Sequence, residues 1–264
     1  MRRFSADYLR RTREGMWADS RDALVPLELD DRERILDVGC GTGELSRVLA
    51  AESPGKVIGC DADPGLLEVA REHVPVVAGD ATRLPFPDDA VDLVVCQALL
   101  INLPDPVAAV SEFARVSSDL VAAIEPDNAA VAIDSSVASE ARLARRARRA
   151  YLEGIETDVS LGADASETFE AADLEVLETR RYDHTRTIEP PYDDPALAAA
   201  RRKATGSGLA DDRETMLAGD LSPAGYDDLR SEWRAMGRDV VEQMRDGEYC
   251  RRETVPFYVT VGRA

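Results

Sequence analysis

The sequence predicts an α/β fold built on a parallel, doubly wound sheet. Short apolar segments alternate with segments of helical pattern between residues 34 and 126, and this alternation is typical of parallel strands joined by crossover helices. The segment 91–96 is almost entirely apolar, as a strand buried on both faces must be. A glycine-rich turn follows the first strand, where ligand-binding turns stand in folds of this class.

The elements can be placed in chain order. An N-terminal helix is expected over residues 5–24, where apolar residues recur at helical spacing. Strands are expected near 34–38, 56–60, 75–78, 91–96 and 119–125, and helices near 43–51, 64–73 and 105–117. Pro64 directly after Asp63 is a typical helix start.

The regular alternation stops after residue 128. A helix is expected at 137–156, a short helix at 167–173, a strand at 174–182 and a last strand at 255–261, with several helical segments within 186–250. The stretches 129–165 and 186–250 therefore read as insertions into the core fold. They are expected to cover the edge of the sheet where open α/β folds bind ligands.

Composition limits the possible functions. The chain has 264 residues with 32 Lys and Arg against 51 Asp and Glu, a formal net charge of −19. This charge speaks against broad nucleic-acid binding, which needs a basic surface, and it suggests a salt-loving host. The N-terminal residues show no apolar signal region, and no segment has the roughly 18 apolar residues of a membrane span. The chain is therefore expected to be soluble and cytoplasmic.

The four cysteines are scattered and have no histidine nearby, so neither a metal site nor a disulfide framework is expected.

The glycine turn is the most informative segment. Gly39, Gly41 and Gly43 follow the first strand, with Asp37 two residues before them and Asp61 at the end of the second strand. Glycine permits positive φ and close approach of a ligand to the backbone, and an acidic residue at this distance suits the ribose of a nucleoside. A dinucleotide fingerprint would read G-x-G-x-x-G, so the spacing here differs.

Four segments in order resemble the motifs of class I S-adenosylmethionine-dependent methyltransferases, most closely the ubiquinone/menaquinone-biosynthesis-like (type 11) group. They are 35–45, 57–64, 78–86 and 88–97, and the resemblance covers residues 34–126. It implies a single methyltransferase domain over 1–264, with a cofactor-binding core at 34–126 and lid insertions at 129–165 and 186–250. The implied fold is Rossmann-like, with seven strands, mostly parallel, and an antiparallel last strand.

The resemblance also implies S-adenosylmethionine as cofactor and assigns residues to it. Asp37 would bind the methionine ammonium and Asp61 both ribose hydroxyls, while Asp80 would bind the adenine amino group and Arg13 the methionine carboxylate. The other implied cofactor-binding positions are Gly39, Cys40, Gly41, Ala62, Ala81 and Cys96.

Three residues are candidates for contact with the methyl acceptor or for a general base: Asp127, Glu125 and His184. Methyl transfer from a sulfonium needs mainly proximity and orientation, and a base only when the nucleophile loses a proton. The expected partner is a small-molecule substrate, with nucleic acid and membrane disfavoured. An NAD(P)-dependent oxidoreductase and a non-catalytic S-adenosylmethionine-binding scaffold remain alternatives.

Overall fold

The computed structural model describes Leu9, Met16, Trp17 and residues 20–264. Contacts divide the chain into two compact units. The first contains the described residues up to Asp127, together with Ser160–His184 and Pro256–Ala264. The second contains Asn128–Val159 and Thr185–Val255.

Five parallel strands form the centre of the first unit. They are β1 (Arg34–Val38), β2 (Lys56–Asp61), β3 (Val76–Ala78), β4 (Val91–Gln97) and β5 (Ser117–Pro126), in the spatial order β3-β2-β1-β4-β5. The order reverses between β1 and β4, and ligands of doubly wound sheets bind at such a switch point.

Three helices connect these strands: α1 (Glu44–Glu52), α2 (Pro64–Ala70) and α3 (Pro106–Val116). Two of them begin at an aspartate followed by proline. Asp63 accepts the N–H of Gly65 at 2.8 Å, and Asp105 accepts the N–H of Ala108 at 3.0 Å. Proline suits the first helical position because its missing N–H would have no partner there.

The antiparallel part of the sheet involves β7 (Glu175–Ile188) and β8 (Arg251–Arg263). Residues 257–263 of β8 pair with β5 in antiparallel register, and β7 pairs with β8. The hydroxyl oxygens of Thr179 and Thr260 lie 3.2 Å apart. The predicted mostly parallel sheet with an antiparallel last strand is confirmed. The short helix α5 (Ala165–Ala171) also belongs to this unit.

Two features differ from the sequence-based expectation. The described residues form eight strands, because β6 (Ala132–Ser135) pairs with residues 251–254 of β8. This strand is only four residues long and ends in Asp134 and Ser135, so it carries little apolar signal. Residues Arg21–Leu27 form a 3-10 helix that extends past the predicted end of the N-terminal helix, whose residues before 20 lie largely outside the described part of the chain.

The second unit is mainly helical. Its helices are α4 (Glu140–Glu153), α6 (Asp194–Thr205), α7 (Ser207–Asp211), α8 (Arg213–Ala218) and α9 (Pro223–Asp246). Their apolar faces share one core that includes Leu143, Leu229, Met236 and Val240. The lid role expected for the inserted segments stays a prediction.

A buried carboxylate on α4, that of Glu140, also forms ion pairs with Lys203 on α6 and Arg251 on β8. Glu140 is 1% exposed and accepts hydrogen bonds from Ser135, Tyr249 and Lys203. Arg251 adds an ion pair to the same carboxylate at 3.2 Å. A carboxylate buried this deeply needs such partners to stay ionised.

No helix within the described ranges is both long enough and apolar enough to span a bilayer.

Candidate active site

The predicted cofactor residues follow the carboxyl ends of adjacent parallel strands. β1 ends at Val38, β2 at Asp61 and β3 at Ala78, and the three strands pair in parallel register. Parallel strands bring these ends to one edge of the sheet, where open α/β folds bind ligands. The turn at 39–43 and the residues Asp61 and Asp80 therefore share this edge.

All three glycines of the turn have left-handed backbone conformations. The φ angles are +70° at Gly39, +56° at Gly41 and +85° at Gly43, which residues with a Cβ adopt at a cost. The N–H groups of Gly39 and Cys40 both donate to the carbonyl of Cys60, at 2.7 and 3.1 Å. The turn is thereby fixed to the end of β2.

Asp61 connects the turn to the second strand. Its Oδ2 accepts the N–H of Gly41 at 2.9 Å, and its Oδ1 accepts the N–H of Asp63 at 2.9 Å. A carboxylate oxygen can accept two hydrogen bonds, so each oxygen retains one acceptor position. The half-buried side chain therefore fits a ligand with two neighbouring hydroxyls, such as a ribose diol.

The same turn is poorly suited to a pyrophosphate. The N–H groups of Gly39, Cys40 and Gly41 already have acceptors within the protein. Glu44 then opens α1, which sets a negative charge at the helix end that would otherwise attract phosphate. The arrangement favours a nucleoside without a diphosphate.

Asp37 is buried below the turn. It is 1% exposed, and its Oδ2 accepts the hydroxyl of Ser46 on α1 at 2.5 Å. This contact orients the carboxylate from the helix side. Its assignment to the methionine ammonium stays a prediction.

Asp80 begins the turn that follows β3, and its carbonyl accepts the N–H of Arg83 at 3.0 Å. Its Oδ1 accepts both the N–H of Thr82, at 2.8 Å, and the Thr82 hydroxyl, at 2.7 Å, and these bonds lower the pKa of Asp80. The exposed carboxylate is therefore ionised and held in one orientation. Its neighbour Ala81 is buried, whereas Ala62, beside Asp61, is exposed.

Cys40 and Cys96 are buried thiols. Burial, with the nearby Asp37, raises the pKa of Cys40, and burial, with the nearby Glu125, raises the pKa of Cys96. Both therefore stay protonated. The Sγ of Cys96 lies 3.9 Å from Oε1 of Glu125, so its side chain contacts β5.

Glu125 binds backbone N–H groups of the loop after β4, a role that was not predicted from the sequence. The side chain is fully buried, and Oε1 accepts the N–H groups of Leu99 and Leu100 at 3.0 and 2.9 Å. Oε2 lies 3.5 Å from the nitrogen of Ile101. These bonds favour a structural role over the predicted contact with the acceptor.

The other two predicted catalytic residues, Asp127 and His184, lie close to residues 256 and 257 of β8. Asp127 follows β5, and its N–H donates to the carbonyl of Pro256 at 2.9 Å. His184 is buried on β7, with its ring centroid 6.5 Å from that of Phe257 in an edge contact. The predicted end of this strand at residue 182 is therefore wrong, because β7 extends to residue 188 and includes His184.

Three aromatic rings, Trp17, Tyr182 on β7 and Phe257 on β8, form what we call the aromatic row. The ring centroids of Tyr182 and Phe257 are 5.5 Å apart with the planes nearly parallel, and Trp17 lies 5.5 Å from Tyr182. Phe257 pairs with Pro126 at the carboxyl end of β5. The row therefore borders the ligand edge of the sheet.

Arg13, predicted to bind the methionine carboxylate, lies outside the described residues. Within the described ranges, no three His, Cys, Asp or Glu side chains are grouped closely enough to hold a metal ion.

Sequence reasoning missed Ser46, Thr82 and Leu99. Ser46 is a polar residue on the buried face of α1, and that placement is a signal for a buried hydrogen-bond partner. Thr82 stands two residues after Asp80, the spacing of a local Asp–backbone turn. Leu99 gives no polar signal, because it donates to Glu125 through its backbone N–H.

Comparison with known proteins identifies the core. Residues 36–119 match the family model described as "Methyltransferase domain". The demethylmenaquinone methyltransferase of Mycobacterium sp. (strain KMS) is 40% identical over 98 residues, which are 37% of this chain and 42% of that protein. The enzyme of the same name from Lactiplantibacillus plantarum is 35% identical over 107 residues, or 36% and 45% of the two chains. The chain thus spans less than half the length of these curated relatives.

Solved structures share the fold over most of the chain. A Bacillus halodurans protein assigned as a methyltransferase is 18% identical, covers 93% of this chain and 98% of its own, and has a TM-score of 0.55. A chain from the complex between the Haloferax volcanii Trm112 methyltransferase activator and a methyltransferase is 20% identical, covers 96% and 92%, and has a TM-score of 0.54. Residues 36–119 therefore form a methyltransferase domain, and the solved structures show the same fold. Both findings agree with the prediction of a class I S-adenosylmethionine-dependent methyltransferase with S-adenosylmethionine as cofactor.

Proposed function

We propose that this protein transfers a methyl group from S-adenosylmethionine to a small-molecule acceptor. The observation that carries the proposal is the Asp61 carboxylate, held by the N–H of Gly41 at the ligand edge of the sheet and lying within the matched methyltransferase domain. The acidic chain, with a net charge of −19, argues against a nucleic-acid acceptor, because nucleic-acid binding requires a basic surface.

The cofactor-binding residues would divide the ligand between them. Asp61 would accept the ribose hydroxyls through the second acceptor position of each oxygen, and Asp80 would accept the adenine amino group. The turn at 39–41 and Asp37 would bind the methionine portion. Ala62 and Ala81 would border the nucleoside, while Cys40 and Cys96 would contribute their small size and backbone.

When bound, S-adenosylmethionine supplies an electrophilic methyl group on a positively charged sulfur. Transfer of this methyl group is a displacement at carbon with a good leaving group. The protein therefore contributes mainly by orienting the acceptor and excluding water. If the acceptor atom carries a proton, a base is also required. Asp127, at the end of β5, and His184 on β7 are the proposed groups for contact with the acceptor.

The aromatic row favours an acceptor with a flat, apolar portion. Trp17, Tyr182 and Phe257 form a continuous set of ring contacts beside the end of β5, and aromatic faces bind planar apolar groups well. The curated relatives are named for demethylmenaquinone. We therefore include quinols among the first acceptors to test.

The experiment is turnover with S-adenosylmethionine labelled in its methyl group. The protein is incubated with a small-metabolite extract and, separately, with hydroxylated naphthoquinols, and labelled products are followed by mass spectrometry. Labelled product together with released S-adenosylhomocysteine supports the proposal. Tight cofactor binding without methylation of any acceptor would favour the scaffold alternative.

Variants separate acceptor contacts from cofactor contacts. Asp127→Asn and His184→Gln are expected to lower turnover while the affinity for S-adenosylhomocysteine stays near that of the unmodified protein. Glu167→Gln, at an exposed carboxylate on α5, is the control and should change neither quantity. Loss of cofactor affinity in the first two variants would show that both residues act in cofactor binding and not in contact with the acceptor.

A further inference from the structure

The loop after β4 is anchored by a single buried carboxylate. Glu125 on β5 is 0% exposed, and it accepts the N–H groups of Leu99 and Leu100 at 3.0 and 2.9 Å. The Ile101 nitrogen lies 3.5 Å from its other oxygen. Consecutive amides that converge on one carboxylate hold a loop far more firmly than a single bond would.

The loop is rigid in its own right. The N–H of Ala98 donates to the carbonyl of Ile124 at 2.9 Å, and Ala98 has a φ of +49°. The side chain of Asn102 donates to the carbonyl of Ala98 at 2.8 Å. Both ends of the loop are therefore fixed, and Glu125 fixes its middle.

The same loop contacts the glycine turn at residues 39–43, which we call the cofactor turn. A Cβ placed on Gly39 would lie 2.9 Å from Cδ1 of Leu99 and 3.1 Å from its Cδ2. Leu99 is 7% exposed, so its side chain packs directly against the backbone of the turn. A shift of Leu99 would remove this packing contact from Gly39, whose φ is +70°.

We propose that Glu125 is a positioning residue that shapes the cofactor turn through Leu99. The path runs from the carboxylate to the 99–101 amides, from there to the Leu99 side chain, and finally to Gly39. The inference rests on the proposed function only in treating this turn as the S-adenosylmethionine site.

The chemistry at this position favours a carboxylate over an amide. The Glu125 oxygens contact four donors: three backbone N–H groups and the Cys96 thiol, whose pKa is raised by burial and by Glu125. A glutamine could keep one oxygen toward Leu99 and Leu100 but would turn an NH₂ group toward Ile101. An alanine would leave all the donors without an acceptor.

The test measures the affinity for S-adenosylhomocysteine by calorimetry in Glu125→Ala, Glu125→Gln and Leu99→Ala. Glu125→Ala and Leu99→Ala should each weaken binding by about tenfold or more, since tenfold corresponds to the loss of about one good hydrogen bond or packed side chain. Glu125→Gln should weaken binding by no more than about threefold, because it keeps the two shortest bonds. Hydrogen exchange at the 99–101 amides should accelerate in Glu125→Ala.

Glu140→Gln is the matched control. Glu140 is also a buried carboxylate, but its partners are Ser135, Lys203, Tyr249 and Arg251. The substitution should lower the melting temperature without changing the affinity for S-adenosylhomocysteine. An equal loss of affinity in this variant would show that general destabilisation, and not positioning, is being measured, and would overturn the inference.

The remaining outcomes also decide the question. If Glu125→Ala does not fold, Leu99→Ala carries the test, because it leaves the carboxylate and its amides intact. Unchanged affinity in Leu99→Ala would overturn the inference. Failure of the unmodified protein to bind S-adenosylhomocysteine would instead contradict the proposed function, so the two failures can be told apart.

Discussion

The buried Arg32 forms an ion pair with Asp119, with 2.6 Å between Nη1 of the arginine and Oδ2 of the aspartate. The arginine is 4% exposed and also donates to the carbonyl of Leu27 at 3.0 Å and to Glu28 at 2.6 Å. It lies just before β1, while Asp119 lies near the start of β5. One guanidinium therefore ties together the end of the sheet opposite the candidate active site.

Replacing this arginine should destabilise the protein. Arg32→Leu removes charge-assisted bonds to Asp119 and Glu28, and we expect the free energy of unfolding to fall by about 2 kcal/mol. The loss is moderated because Asp119 is 37% exposed and can be rehydrated. Urea unfolding measures the change. Arg71→Leu, at an exposed pair with Glu68, should stay within about 0.5 kcal/mol, and an equal loss there would contradict this account.

Acid should weaken the second unit through Glu253. Burial alone would raise the pKa of this carboxyl, but the guanidinium groups of Arg251 and Arg186 outweigh burial and lower the pKa from 4.5 to about 2. The stabilisation is therefore present above about pH 4.5 and is lost as the pH falls toward 2. It is on the order of 3 kcal/mol.

The pH dependence can be measured by urea unfolding between pH 6 and pH 3. Glu253→Gln should flatten the fall in unfolding free energy over this range, since it removes the group that takes up the proton. Glu68→Gln, at an exposed carboxylate, should leave the slope unchanged. A slope in Glu253→Gln as steep as in the unmodified protein would contradict the assigned pKa.

Salt should raise the melting temperature. At a net charge of −19 the folded chain repels itself, and the screening length shortens from about 10 Å at 0.1 M to about 3 Å at 1 M ionic strength. Thermal melting in a sodium chloride series measures the effect. A melting temperature that stays constant over this range would show that self-repulsion contributes little to stability.

The central sheet could be predicted from sequence because burial dominates its strands. β1 was expected at 34–38 and β4 at 91–96, and both agree with the structure to within one residue. Their apolar runs report burial on both faces, a local property of the sequence.

The ends of β7 and β8 could not be predicted in this way. β8 begins at Arg251, four residues before its expected start, and includes Glu253. These charged residues are tolerated in the strand because they pair with each other at 2.5 Å. β7 alternates exposed and half-buried residues along most of its length, so its polar end at 183–188 resembles a loop.

The candidate site, too, could be predicted only where it depends on local sequence. The glycine turn and Asp61 could be placed because their spacing in sequence reflects a local strand–turn–helix unit. The partners of Glu125 lie about 25 residues away in sequence, and no local pattern predicts that its carboxylate turns toward the loop after β4. The roles of Leu99 and Glu125 therefore depend on tertiary packing.

The most direct test of the account is a calorimetric titration with S-adenosylmethionine, compared with NAD, in the unmodified protein and in Asp61→Ala. We expect S-adenosylmethionine to bind and NAD not to bind. Asp61→Ala should weaken binding by at least about tenfold, because two ribose hydroxyls and the N–H of Gly41 lose their acceptor. Asp105→Ala, which removes the capping carboxylate of α3, should bind S-adenosylmethionine normally. Unchanged affinity in Asp61→Ala, or binding of NAD in place of S-adenosylmethionine, would contradict the account.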